Sequence, residues 1–227
     1  MAEPRLRSDL AIRTASGLVL VLIAGLALWA EGGILLLLIL LVAALAFWEW
    51  RGLVLRFPDS GAIKALWLVL GLAYVAGAAF ALLSLGFAAR ILVIGIVIAT
   101  DVGAYFAGRT IGGPKIAPLI SPSKTWAGLG GGMLASALLV AAAISIMPSP
   151  EGIGFAKAPS FIILAALTAA GLAIVAQVGD FFESWMKRRA AVKDSGALIP
   201  GHGGVLDRVD GLLLVALVCG ILTWVGQ

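Results

Sequence analysis

The segment Gly179–Gly211, GDFFESWMKRRAAVKDSGALIPGHGGVLDRVDG, holds the chain's densest set of ionisable side chains. Asp180, Glu183, Asp194, Asp207 and Asp210 stand among Lys187, Arg188, Arg189, Lys193, His202 and Arg208. Asp207 and Asp210 are three apart, which puts both carboxylates on one helical face. Carboxylates brought together at two helix ends suit a hard cation such as Mg²⁺, which takes oxygen ligands. Carboxylates alone would repel a phosphate, and basic groups alone would bind one without chemistry. Both together, with a metal between them, suit a polyphosphate undergoing transfer. The Gly201–Gly204 stretch can bend the backbone so that N–H groups face an anion. Plainer readings stand beside these. Lys187, Arg188 and Arg189 also mark the inner side of a membrane protein. Asp207, Arg208 and Asp210 also read as a surface ion-pair set, the glycines as a turn, and His202, the one histidine, as structural. Glu183 reads as a counter-charge to its basic neighbours.

Upstream, Asp101 lies inside an apolar stretch, with Tyr105 and Arg109 four and eight residues on, on roughly the same face. A carboxylate at membrane depth costs about 2.5–3.5 kcal/mol on insertion scales, so it needs a role or a partner such as Arg109. The run Arg109–Trp126, RTIGGPKIAPLISPSKTW, is too rich in Gly and Pro for a long helix. Ser121, Ser123, Lys124 and Thr125 then precede the next apolar stretch. Free N–H groups at a helix start, with hydroxyls and a Lys, make an anion site. The same residues read equally as helix caps with one topology-setting lysine, and they do not form a Walker A loop. Gly128, Gly130, Gly131 and Gly132 allow close approach, by a substrate or by another helix.

What must position these residues is a membrane scaffold. Of the 227 residues, 62% are apolar and 12% charged, against roughly 45–50% and about 25% in soluble domains. A soluble fold of this size has no interior large enough for that hydrocarbon. One Cys, Cys219, and one His exclude a disulfide scaffold and a zinc cluster. Stretches of about 20 apolar residues predict seven helical spans, near Thr14–Ala30, Ile34–Trp50, Ala65–Leu85, Arg90–Gly108, Ala127–Met147, Ser160–Gly179 and Val209–Val225. The first reads as a retained helix, since no small-x-small site precedes Glu31. The Pro148–Pro159 connection reads as a turn region, and Trp29, Trp48, Trp50, Trp126 and Trp185 as an interfacial belt. The expected fold class is all-α and polytopic. Residues 1–100 form N-terminal spans, and residues 101–227 form a catalytic membrane region.

The charges give the sidedness. Arg5, Arg7 and Arg13, then Arg51, Arg56 and Lys64, then Arg109, Lys115 and Lys124, then Lys187, Arg188, Arg189, Lys193 and Arg208 fall in alternate connections. These are fourteen of the sixteen basic residues, and only Arg90 and Lys157 fall on the other side. The N-terminus and the polar segments are therefore expected in the cytoplasm. The net charge of +4 is then a topology signal, and nucleic acid is not an expected partner.

Ser184, Lys187, Arg188, Lys193, Asp194, Pro200, His202, Gly203, Gly204, Asp207, Arg208 and Asp210 follow one another without a gap over 27 residues. In order and spacing they resemble the signature of the phosphatidate cytidylyltransferases, the CDP-diacylglycerol synthases. Asp101 with Ala104-Tyr105-Phe106 and Gly108-Arg109, the run Ser121–Trp126, and Gly179-Asp180 also resemble that family. The first hundred residues resemble it only in being hydrophobic helices. Ala127 stands where members often carry Glu, and the chain is short for a family that often has eight or nine spans.

The resemblance implies transfer of the cytidylyl group of CTP to phosphatidic acid, giving CDP-diacylglycerol and pyrophosphate. It implies a bacterial inner-membrane enzyme with a cytoplasm-facing site, Mg²⁺ with K⁺ as a possible second cation, and a homodimer. On this reading Asp180, Asp207 and Asp210 bind metal, with Asp101 in support. Lys187, Arg188, Lys193, Asp194, Asp207 and Asp210 work at the reacting phosphates. Ser121, Ser123, Lys124, Thr125, Arg109, Ser184, His202, Gly203, Gly204 and Arg208 hold substrate. A CTP-dependent lipid kinase would move the γ-phosphate instead, and the Lys-Asp…His-Gly-Gly…Asp-Arg-x-Asp run argues against it. A transporter would place polar residues at the midplane of several spans, whereas here they crowd at one face. The D-G-x-x-A-R pattern of CDP-alcohol phosphotransferases is absent.

Overall fold

The computed structural model describes residues 3–146 and 158–225. Met147, Lys157 and most of the Pro148–Pro159 connection lie outside the described residues. The elements run α1 Glu3–Ala30, α2 Gly32–Leu55, α3 Gly61–Ser84, α4 Phe87–Thr110, β1 Lys115–Ala117, β2 Ser121–Thr125, α5 Trp126–Ile146, α6 Pro159–Arg189 and α7 Leu206–Val225. All seven helices are long and apolar enough to cross a membrane. Large side chains such as Leu22, Leu37, Leu66 and Leu164 face outward. In lipid this costs nothing, and backbone polar groups satisfied within each helix are what spanning requires. The chain is an integral membrane protein of seven candidate spans.

The chain forms two compact units, Met1–Ser84 with Met186–Asp210, and Leu85–Trp185 with Gly211–Gln227. This grouping joins the signature segment to the N-terminal helices, across the expected division at residue 100.

In the first unit, Leu53, Val54, Phe57, Met186 and Leu206 are fully buried. Arg189 donates to both oxygens of Asp59, at 2.7 and 2.8 Å from Nη2, and lies over the Phe57 ring at 5.3 Å. Trp50 departs from the expected interfacial belt. It is buried, its Nε1–H donates to the Trp67 carbonyl at 3.0 Å, and it packs on Tyr74. Gly71 makes room for its ring, which a β-carbon there would strike. Trp29, Trp48 and Trp126 face outward as expected.

In the second unit, α4 and α5 pack through small residues. A β-carbon on Gly132 would come 2.9 Å from the Thr100 carbonyl, and one on Gly131 would strike Ala107. Thr100 and Ser136 share a 2.8 Å hydrogen bond between the two helices. Gly128, Gly131 and Gly132 thus admit a helix, while Gly130 faces open space.

Several helix bounds differ from expectation, with α1 starting at Glu3 rather than near Thr14 and α2 running to Leu55 rather than Trp50. The sixth helix does not stop near Gly179 but runs to Arg189. Between Phe181 and Ala190 nothing breaks a helix, and Glu, Met, Lys and Arg favour one. At 1.5 Å per residue α6 is about 46 Å long, more than the roughly 30 Å hydrocarbon core requires. It ends with Ala191 at φ 55° and the Val192 N–H on the Lys187 carbonyl at 2.9 Å. That is a Schellman ending with Ala where Gly is usual. The seventh helix starts at Leu206, so Asp207 lies in its first turn.

Candidate active site

In the second unit the Arg109–Trp126 run folds as a β-hairpin, with Lys115 opposite Thr125 and Ala117 opposite Ser121. Gly112 and Gly113, both at positive φ, turn the chain out of α4. The hairpin returns the chain to α5, and Thr125 caps that helix, its Oγ1 accepting the Gly128 N–H at 3.0 Å. The Trp126 N–H donates to the Pro114 carbonyl at 3.2 Å. Two donors expected to be open to an anion are therefore already used, and for Thr125 the capping reading holds. Ser121 is buried, whereas Ser123 is exposed.

A cavity of about 400 Å³ opens here, lined by Asp101, Arg109, Ser123, Lys124, Gln177 and Asp180 among others. Its size is that of a small-ligand site. Lys124 Nζ lies 2.5 Å from Asp180 Oδ2 and 4.8 Å from the Phe181 ring centre. Arg109 Nη1 donates to the Tyr105 hydroxyl at 2.9 Å, one helical turn back. Ser184 Oγ donates to Asp180 Oδ1 at 3.4 Å. The cavity therefore presents two cations, two carboxylates, an amide and the hydroxyl-bearing Tyr105, Ser123 and Thr125. Gln177 is a cavity residue that the sequence reading missed. The signal was there, an amide in the apolar run Phe161–Val178, three residues before Asp180.

In the first unit, Asp207 organises the signature loop. Its Oδ1 accepts from Lys187 Nζ at 2.7 Å, and its Oδ2 accepts the N–H groups of Ser195 at 3.0 Å and Gly204 at 2.8 Å. The His202 N–H donates to the Ile199 carbonyl at 2.9 Å, with Gly201 at φ 76°. Pro200 and Gly201 thus occupy the central positions of a type II turn. The His202 and Gly204 N–H groups point into the loop, so the expected anion cradle lacks both. His202 Nδ1 meets Ser16 Oγ at 2.9 Å, and Arg208 donates twice to the His202 carbonyl, at 2.6 and 3.0 Å. Asp194 reaches the same loop, 3.6 Å from where a β-carbon on Gly203 would stand. Arg188 and Lys193 are exposed, and Asp210 is half-buried.

Among the described residues, no three of His, Cys, Asp or Glu form a group that could hold a metal. Mg²⁺ carried with a nucleotide needs less, since one or two carboxylates suffice beside phosphate oxygens and water. Asp101 and Asp180, on one cavity, fit that need. Asp180 already faces Lys124, and Asp207 accepts from an ammonium group and two backbone N–H groups.

A helical membrane scaffold with a cavity that pairs cations with carboxylates defines the class of protein. Residues 60–225 match the model of the Cytidylyltransferase family. The chain belongs to that family. It is 46% identical over 159 residues to a phosphatidate cytidylyltransferase of Brucella suis biovar 1 (strain 1330), covering 66% of this chain and 54% of that protein. It is 48% identical over 123 residues to one of Rickettsia bellii (strain RML369-C), covering 53% and 51%. One of Haemophilus influenzae (strain ATCC 51907 / DSM 11121 / KW20 / Rd) is 46% identical over 114 residues, covering 50% and 38%. The chain spans about half the length of the curated relatives it matches most fully.

Proposed function

We propose that this protein transfers the cytidylyl group of CTP to phosphatidic acid, releasing pyrophosphate and leaving CDP-diacylglycerol in the membrane. The observation that carries this is the cavity in which Arg109 and Lys124 meet Asp101 and Asp180, in a chain whose relatives bear the name phosphatidate cytidylyltransferase. In the reaction a phosphate monoester oxygen of the lipid forms a bond to the α-phosphorus of CTP, and the bond to the β-phosphate bridge breaks. The nucleophile is already anionic, so neither a catalytic Ser or Cys nor a strong base is required. The difficulty is bringing two anions together, and charge neutralisation answers it. Lys124 and Arg109 bind phosphate in the cavity, with Ser123 as a further donor. Lys187, Arg188, Lys193 and Arg208 supply the positive field of the signature segment.

Mg²⁺ brought with CTP adds to that neutralisation, and Asp101 and Asp180 would hold it. Asp210 is the further carboxylate proposed for a cation, and K⁺ is the proposed second cation. Asp207 keeps Lys187 and the loop in place. Residues 101–227 carry the chemistry, with residues 1–100 in support. The chain acts as a homodimer in a bacterial inner membrane, with the polar segments in the cytoplasm. The alternation of Lys and Arg between the spans supports this sidedness.

The deciding experiment supplies the purified protein with Mg²⁺, K⁺, phosphatidic acid and CTP labelled separately at the α and γ phosphates. Label from the α position should enter the lipid while γ label leaves as pyrophosphate. Entry of γ label into the lipid would instead make the protein a CTP-dependent lipid kinase.

A further inference from the structure

We infer that Glu49, on α2, is a positioning residue that holds the signature loop and the start of α7 from beneath. Glu49 is 3% exposed. Its Oε2 accepts the Leu206 N–H at 2.7 Å and the Ser195 hydroxyl at 3.0 Å. The Leu206 N–H is one of the first-turn donors that a helix leaves unsatisfied, and a carboxylate there also meets the positive end of the helix dipole. Glu49 thus caps α7 from another helix. Asp207 grips the same loop through the N–H groups of Ser195 and Gly204. Ser195 is therefore held twice, by its hydroxyl to Glu49 and by its N–H to Asp207. The glycines fit the arrangement. A β-carbon on Gly196 would strike Glu49, and one on Gly204 would strike both Ser195 and Glu49. The signature thus has small residues where this carboxylate needs access. Glu49 lies before residue 60, where the family match begins.

The consequence is that α2 sets where Asp207 and its partner Lys187 stand. For its activity readout this inference rests on the proposed cytidylyl transfer, so the test has a second readout that does not. Hydrogen–deuterium exchange would be measured on the full chain for wild type, Glu49→Ala and Glu49→Gln, beside steady-state transfer kinetics. Glu49→Ala should speed exchange in residues 194–207 about tenfold or more, with the other spans unchanged. It should also lower kcat about 100-fold, as expected for a misplaced group. The KM for CTP should hold, because Glu49 does not line the proposed nucleotide cavity. Glu49→Gln keeps an acceptor for both donors and should restore the loop and most of kcat. Unchanged loop exchange in Glu49→Ala would overturn the inference. So would faster exchange spread over all spans, which marks a packing role alone. A local rise in exchange in a protein whose wild type makes no CDP-lipid supports the positioning and defeats only the reading of function. Should Glu49→Ala fail to fold, Ser195→Ala removes one of the two bonds and should give a smaller local rise. No rise in that variant counts against the inference.

Discussion

At the scale of single residues, Asp180 is answered by Lys124, and Asp207 by Lys187 and two backbone N–H groups. Lys124 against Asp180 and Lys187 against Asp207 are both short pairs. Both are largely shielded from water, Lys187 with Asp207 more so than Lys124 with Asp180, so neither is a screened surface bridge. Lys124→Ala should cut cytidylyl transfer by about 10²–10³, the usual loss when one stabilising donor is removed, in a protein that still folds, because Asp180 keeps partial access to water. Turnover at the wild-type rate would remove Lys124 from phosphate binding. Asp207→Asn keeps one acceptor oxygen for three donors and loses the charge that holds Lys187. It should abolish turnover and leave a folded membrane protein, read by activity at matched Mg²⁺ beside gel filtration. Wild-type-like activity would show that Lys187 finds its place without Asp207. Glu49 shows how a residue escapes a sequence reading. The rule that an ionisable group in a span demands a role picked out Asp101, and it applies equally to Glu49 near the end of α2. Only its contacts with Ser195 and Leu206, some 150 positions on, show what that role is.

At the scale of elements, length and ending matter most. The ten residues of α6 beyond Gly179 carry Ser184, Lys187 and Arg188 on a rigid helix rather than on a loop. The helix pays for its stop at Ala191, whose φ of 55° costs a residue with a β-carbon about 1–2 kcal/mol. Ala191→Gly should relieve that strain and raise the thermal midpoint by about 2–4 °C per kcal/mol recovered. A midpoint that falls would mean that freedom gained by the unfolded chain outweighs the relief. The hairpin β1–β2 is the element least visible beforehand. Gly112, Gly113, Pro114 and Pro118 excluded a helix, but the pairing of Lys115 with Thr125 depends on where α4 ends and α5 begins.

At the scale of the whole molecule, seven helices and the alternation of basic residues make one topological prediction. In a Cys219→Ser background, a cysteine placed at Ser60 or Ser195 should react with an impermeant maleimide only from the cytoplasmic side. One placed at Gly86 should react only from the opposite side. Labelling of both sets from one side would break the seven-span order. The same molecule divides into two compact units that do not follow the chain's halves. The signature segment Met186–Asp210 is grouped with α1, α2 and α3.

The sequence alone determined the solvent, the seven candidate spans and the segments where ionisable residues gather. These follow from composition, from runs of about 20 apolar residues and from motif spacing, all of which are local along the chain. The tertiary structure decided which of those residues share a cavity, which loop N–H groups are already spent and which distant carboxylate caps α7. It also showed Trp50 turned inward against Tyr74 rather than outward to an interface. The physical reason is that a helix periodicity specifies which side chains share a face, but not what that face meets. In a chain apolar on nearly every face, burial against lipid and burial against protein look the same until the partner is placed.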